Sequence, residues 1–331
     1  MIVGCSSDEN VPSTLKIVKA DVNMKAAGGE ASIEFQAALP VEVIVGAEWC
    51  KVTEQTANLI KFSVEANADF SGRSTQILFS DGVEKQELTL VQEGAVFIYN
   101  ETEQVQRVSN NGASLPVEFY GSFPCEVTIT EADKSWLSYV PAEDGRGVSF
   151  IVKKNTTGSM RGSVVKVTCG GRFYTYAIMQ YDAENLLGTY KGQYISLLDQ
   201  QTYGLSKVVI AGPDASGIYM IDGLLDGETD CAIKAVFQDN MFSVSAGQKL
   251  KTFRAPLDIH FGLMDMGARS SWDPNHTAGL VPVFLESGGM GLAFQDNGGM
   301  PNTFAGLSFS LFNGDRYYDD YEILLRCLLY K

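Results

Sequence analysis

The chain of 331 residues carries one strand pattern twice, about 88 residues apart. A repeat of that length fixes the architecture before any single residue is weighed. Ile60-Lys61-Phe62-Ser63-Val64-Glu65-Ala66-Asn67 returns as Val148-Ser149-Phe150-Ile151-Val152-Lys153-Lys154-Asn155. In both copies the apolar residues alternate, as a strand with one buried face requires, and an Asn closes the strand where turn chemistry is expected. An arginine follows in each, Arg73 and Arg161. A second alternating strand comes next, with Ile77 and Phe79 in one copy and Val165 and Val167 in the other. A third ends in glutamine, at Gln92 and Gln180, and upstream Trp49 matches Trp136 with a slip of one residue.

Trp recurring at one place in both copies suits a core anchor better than a ligand platform. Arg73 and Arg161 read as fixed structural contacts, and Gln92 and Gln180 as groups that satisfy backbone near a strand end. The ordered set of Trp, Asn-ended strand, Arg and Gln-ended strand resembles the BACON domain, a module associated with Bacteroidetes. That resemblance implies an immunoglobulin-like β-sandwich for each copy, consistent with short strands at regular spacing. It also implies carbohydrate binding, or a spacer role beside modules that bind carbohydrate. The expected organisation is a tether over residues 1–12, sandwiches over 13–94 and 95–182, and a further β domain over 183–331.

That last region opens with Leu187-Gly188-Thr189-Tyr190-Lys191-Gly192, which resembles the Gly-x-Trp opening strand of lipocalin-like barrels, with Tyr190 in place of Trp. Asp239-Asn240 between Ala232–Phe237 and Met241–Val244 reads as a tight hairpin turn. Gly288-Gly289 separates a second pair of strand runs. In the last run Ile323, Leu325, Cys327 and Leu329 are expected on one face, with Leu324, Arg326, Leu328 and Tyr330 on the other. About eight to ten strands fit an antiparallel barrel or a third sandwich. The fold class is therefore all-β: two tandem immunoglobulin-like sandwiches, then an antiparallel barrel or sandwich.

Two polar, aromatic loops of this region are the candidate ligand sites. Arg269–His276 offers Trp272, Asp273 and His276; Asn313–Tyr321 offers Tyr317, Tyr318 and Asp319. Rings beside carboxylates and amides suit sugars, which present both C–H faces and hydroxyls. The plain alternatives are a Trp tucked against the barrel end and a solvated hairpin turn. Asp258, His260 and Asp265 lack the spacing of a metal site, so no metal or cofactor is expected. No paired carboxylates, Ser-His-Asp set or phosphate loop stands in a recognisable context, and no enzyme activity is expected.

The 40 acidic residues against 25 basic ones give a net charge of −15, which repels phosphate backbones and excludes nucleic acid as a partner. Cys5, in Ile2-Val3-Gly4-Cys5-Ser6-Ser7-Asp8-Glu9, resembles a bacterial lipobox followed by an acidic export signal. It is the expected lipid-attachment site, and acyl chains there would hold the protein on the outer membrane, facing the cell surface. Of the remaining cysteines, Cys125 with Cys169 or Cys231 with Cys327 could pair in an oxidising envelope, or stay as buried thiols. The reading is a non-catalytic surface lipoprotein that binds glycans, with other surface glycan-uptake proteins as possible neighbours. Its rivals are a structural or protein-interaction subunit of an uptake complex and a lipocalin-like binder of an apolar small molecule.

Overall fold

The computed structural model describes residues 14–99 and 104–331; Cys5 lies outside them. Its first unit contains β1 (Lys16–Asp21), β2 (Asn23–Met24), β3 (Gly29–Gln36), β4 (Glu42–Val45), β5 (Cys50–Gln55), β6 (Leu59–Val64), β7 (Arg73–Ser80) and β8 (Lys85–Gln92). They form two sheets, ordered β1-β3-β6-β5 and β2-β8-β7-β4. Between them lies a core of inward residues from each strand repeat, with Ile33, Phe35, Ile60, Phe62, Ile77, Phe79 and Leu90 all buried. The alternation therefore marks the inner faces of a sandwich.

The second unit repeats the plan with β9 (Phe97–Tyr99), β10 (Val105–Val108), β11 (Ala113–Val117), β12 (Phe119–Gly121), β13 (Cys125–Thr128), β14 (Leu137–Pro141), β15 (Val148–Val152), β16 (Arg161–Cys169) and β17 (Arg172–Gln180). One sheet runs β10-β17-β16-β13; the other is β11-β15-β14, with β12 pairing β9. The registers coincide between copies. Phe62 faces Ala31 as Phe150 faces Leu115, and Arg73 faces Gln92 as Arg161 faces Gln180. Cys125 and Cys169 are direct cross-strand partners and form a disulfide. Cys231 and Cys327 are free, buried thiols, as is Cys50.

After one 3-10 turn (Ala183–Leu186) the chain enters a barrel. Its strands are β18 (Gly188–Ser196), β19 (Thr202–Ala211), β20 (Tyr219–Asp222), β21 (Ile233–Gln238), β22 (Met241–Ser245), β23 (Gln248–Arg254), β24 (Leu257–Asp265), β25 (Ser270–Ser271), β26 (Thr277–Phe284), β27 (Met290–Gln295), β28 (Phe304–Asn313) and β29 (Arg316–Tyr330). Eight strands close the ring, β18-β19-β20-β21-β22-β26-β27-β29, because β29 returns to pair β18. The C-terminal domain is thus a barrel and not a third sandwich. Its wall also carries a second layer. β29 pairs β28 through its first half and β27 near its end, while β24 and β23 continue the sheet outward from β28.

The Asp239-Asn240 turn has positive φ at both residues, 50° and 56°, the backbone that a two-residue hairpin demands. In β29 the expected alternation fails. Arg326 takes φ 51° and the register against β18 slips there. This bulge puts Leu324 on the interior face with Cys327 and Leu329, and moves Leu325 off it. One extra residue is enough to reverse the face. Tyr190, Phe242, Phe261 and Phe309 meet in one buried cluster with Leu324 and Leu329, so the ring and the β28–β24 layer share a core. An eight-stranded barrel is just wide enough for side chains to fill.

The second sandwich and the barrel share that cluster. Met179, Tyr181, Ala183 and Leu186 are buried in the barrel's core. The Tyr181 hydroxyl donates to the Asn240 carbonyl at 2.5 Å, and the Asn240 amide donates to the Arg107 carbonyl at 3.2 Å. Asn185 links Asn110 and the Gly158 carbonyl. Between the first and second sandwiches the Arg172 guanidinium stands 3.8 Å over the exposed Phe70 ring, Lys25 lies within electrostatic range of Tyr120, and the Ala95 N–H donates to the Asp69 carbonyl.

Candidate functional site

The repeated polar residues form one construction in each sandwich. Gln92 Oε1 accepts from Arg73 Nε at 2.8 Å, and its Nε2 donates to the carbonyls of Glu65, Ala26 and Lys25. Arg73 also donates to the carbonyls of Glu65 and Ala66, with its guanidinium 4.3 Å from the Trp49 ring centroid. In the second copy Gln180 accepts from Arg161 at 2.8 Å and donates to the carbonyls of Lys153 and Ser109; Arg161 lies 4.5 Å over Trp136. Asn67 and Asn155 donate to the carbonyls of Ser71 and Ser159, closing the turn between the strands. These hydrogen bonds run to backbone carbonyls or between the paired side chains. The set ties strand ends together, and burial lowers the pKa of Arg161.

The barrel brings the two candidate loops together. Trp272 lies edge-on to Phe312 at 5.2 Å and tilted against Tyr317 at 5.6 Å. Phe312 stacks on His260 at 4.6 Å on its other flank. Gly262 makes this possible, since a Cβ there would sit 2.8 Å from the indole nitrogen. The indole N–H is turned inward and finds no acceptor among the described residues. Tyr317 is 43 % exposed and Tyr318 65 %. Trp272 therefore braces the cluster with part of its ring outward, and Tyr317 offers the open face.

The other expected residues have local duties. Asp273 accepts from the backbone N–H and side chain of Asn275, the former holding its carboxyl below the usual range. His276 Nδ1 is 2.7 Å from Ser271 Oγ, which staples the loop. Asp319 accepts from the Asp320 N–H. Sequence reasoning missed Phe312 and placed His260 apart from the Trp loop. Beneath them a chain of hydroxyls runs Ser270–Ser308–Ser310 to Asp320, with steps of 3.0, 3.1 and 3.0 Å. The alternation of Ser308 and Ser310 with Phe312 was the available signal.

Neighbouring carboxylates are held ionised. Asp258 is lowered by its hydrogen bond from Lys249 and then by Thr252; Asp265 by the Arg269 backbone N–H and then by Asn302. Glu228 is lowered by Lys251 and then by Tyr321. Burial lowers His260. Among the described residues no group of three or more His, Cys, Asp or Glu is placed to hold a metal ion.

A second surface feature lies on the second sandwich. A cleft of ≈ 540 Å³ is lined by Ile98, Tyr99, Glu118, Phe119, Tyr120 and Arg146. The Arg146 guanidinium stands 5.8 Å from the Tyr120 centroid.

The fold and these surfaces define a class: tandem immunoglobulin-like sandwiches joined to a β-barrel, with aromatic residues open on its surface. Residues 40–93 and 126–180 both match the BACON family, described as "Putative binding domain, N-terminal". The chain carries two tandem BACON domains. No curated protein matches it. Among solved structures, the I67–I69 fragment of titin's I-band is similar over 64 % of this chain and 93 % of its own, at 10 % identity and TM-score 0.30. The titin Ig tandem A164–A165 matches 52 % of this chain and 99 % of its own, at 8 % identity and TM-score 0.24. Endo-fucoidan hydrolase MfFcnA4, of glycoside hydrolase family 107, matches 50 % of this chain at 10 % identity and TM-score 0.26. This chain covers 28 % of that enzyme's length.

Proposed function

We propose that the protein is a non-catalytic, lipid-anchored glycan-binding protein of the outer membrane, displayed on the cell surface. In this reading the barrel binds the glycan at Tyr317 and Trp272. The observation that carries it is the convergence of two loops, distant in sequence, into the Trp272–Phe312–Tyr317 cluster. Ring faces supply stacking, and Asp319 and Asn313 beside them are exposed polar groups able to meet hydroxyls. The family match supports carbohydrate as the ligand class. The Cys125–Cys169 disulfide supports an oxidising compartment outside the cytoplasm. Cys5 would carry the lipid, and other surface glycan-uptake proteins would be its neighbours.

Asp258, Asp265 and Glu228 do not offer a general acid. A general acid needs its pKa raised, whereas Asp258, Asp265 and Glu228 are all held low by donors. The packed barrel interior counts against an apolar ligand inside it. The shared core of the second sandwich and the barrel favours a second reading, a rigid scaffold in a surface complex.

Three measurements test the proposal. Radiolabelled fatty acid should enter the wild-type protein in cells and not Cys5→Ala. Protease added to intact cells should release the barrel. The full chain should be retarded in gels containing mucin, xyloglucan or galactomannan. Absence of retardation in all three, with the protein on the surface, would favour the scaffold.

A further inference from the structure

The two sandwiches share a frame but differ on one surface. Matching registers place Tyr120 where the first copy has Gln36 and Tyr139 where it has Val52, and Arg146 precedes Val148 by the two residues that separate Asn58 from Ile60. The framework residues Trp, Asn, Arg and Gln are retained in both. Packing explains the retained set, but it does not explain two tyrosines and an arginine added to a solvent face.

The backbone differs at the same place. In the first copy β3 runs unbroken through Glu34. In the second the ladder stops at Val117 and resumes at Phe119, with the exposed Glu118 between. Gly147 packs against that break with φ 112°, and a Cβ there would lie 2.0 Å from the Val117 carbonyl oxygen. The break opens the cleft, with Tyr120 half exposed at its edge and Ile98 61 % exposed. Beyond Tyr120 a hollow of ≈ 280 Å³ is bordered by Tyr139 and Pro141. The matching hollow of the first copy is bordered by Ala37, Ala38 and Pro40 and offers no exposed ring.

We propose that this cleft is a second ligand site, taking one neutral hexopyranose unit of a glycan. The inference rests on the glycan-binding reading above and adds a site to it. A pyranose has an apolar C–H face and a rim of hydroxyls that both donate and accept. The cleft answers each need: the Tyr120 ring for the face, the Arg146 guanidinium as donor and the Glu118 carboxylate as acceptor. Neither Arg146 nor Glu118 has an ion-pair partner among the described residues. The Glu118 charge, on a protein of net charge −15, selects against anionic sugars. The first sandwich, without these residues, is the spacer.

The test uses the full chain and affinity gels containing xyloglucan, galactomannan or mixed-linkage glucan. The variants are Tyr120→Ala, Tyr120→Phe, Arg146→Gln, Gln36→Ala as the first-copy control, and Trp272→Ala. All three substituted positions outside the barrel are on the surface, and near-UV circular dichroism checks folding. Tyr120→Ala should weaken retardation about three- to tenfold, Arg146→Gln should also weaken it, and Tyr120→Phe and Gln36→Ala should not. Wild-type retardation in Tyr120→Ala and Arg146→Gln, with loss in Trp272→Ala, would overturn the second site and leave the barrel site standing. Loss in Tyr120→Ala with Trp272→Ala unchanged would support the cleft and overturn the barrel site. No retardation of the wild-type chain in any of these gels would overturn the second site, and none in mucin either would overturn both.

Discussion

Replacing Gln92 by Met should strongly destabilise the first sandwich while leaving the other two domains folded. Met keeps the length and most of the volume of Gln but neither donates nor accepts strongly. Gln92 is fully buried. Its Nε2 reaches the Glu65 carbonyl at 2.9 Å and the Ala26 carbonyl at 3.2 Å, and its Oε1 takes the Arg73 Nε–H at 2.8 Å. Each neutral bond contributes about 1 kcal/mol and the bond from the cation about 1.5–3, so the loss is about 3.5–5 kcal/mol. A domain of this size holds about 4–12 kcal/mol in all. The chain has three tryptophans, one in each domain, so Trp49 alone reports on the first sandwich once Trp136→Phe and Trp272→Phe are made. Its urea midpoint should fall by about 3.5–5 M at a slope of ~1 kcal/mol per molar. A loss below about 1 kcal/mol would refute the view that this set of residues is structural.

Three further outcomes are expected. Cys125→Ser with Cys169→Ser should cost about 2–4 kcal/mol, seen by Trp136 and absent from the Trp49 transition; equal losses in both would contradict the placement of the disulfide. Tyr181→Phe removes the donor to Asn240 and should separate the unfolding of the second sandwich (Trp136) from that of the barrel (Trp272), which are expected to coincide in the wild type; transitions that stay together would show that the apolar contact suffices. Asp265 has a depressed carboxyl pKa in the folded state. Its contribution is complete above the unfolded value of about 3.9 and is lost as pH falls through the lower folded value. The barrel of Asp265→Asn should therefore be less stable at pH 7 and lose less on acidification than the wild type; parallel pH profiles would refute this.

The sandwiches were legible because the same side chains recur for a physical reason. Asn67 and Asn155 close turns, Arg73 and Arg161 reach carbonyls and a Trp face, and Gln92 and Gln180 sit opposite them in register. Alternation likewise marked Ile77, Phe79, Val165 and Val167 as core. The barrel was legible in its strands and its Asp239-Asn240 turn but not in its closure. That depends on the bulge at Arg326, which no local pattern announces, because any residue that tolerates left-handed backbone can supply it. The joint through Tyr181 was also hidden, since a buried Tyr and a turn carbonyl 59 residues apart share no sequence signal. The candidate site was half visible. Its rings stood out in polar loops, but Phe312 and His260 looked like strand residues, and their contact with Trp272 arises only when β24 and β28 pair. The divergence of Tyr120, Tyr139 and Arg146 from the first copy needed the registers, because the two copies differ in loop length.

Trp272 gives the most direct test of glycan recognition by the barrel. In a single-tryptophan protein with Trp49→Phe and Trp136→Phe, emission is followed during titration with whichever polysaccharide retards the wild-type chain. Binding at the Trp272–Tyr317 cluster predicts a saturable shift in emission, abolished by Tyr317→Ala while the barrel stays folded. Undiminished retardation of Tyr317→Ala, with Trp272 emission unchanged at saturation, would contradict recognition at this site.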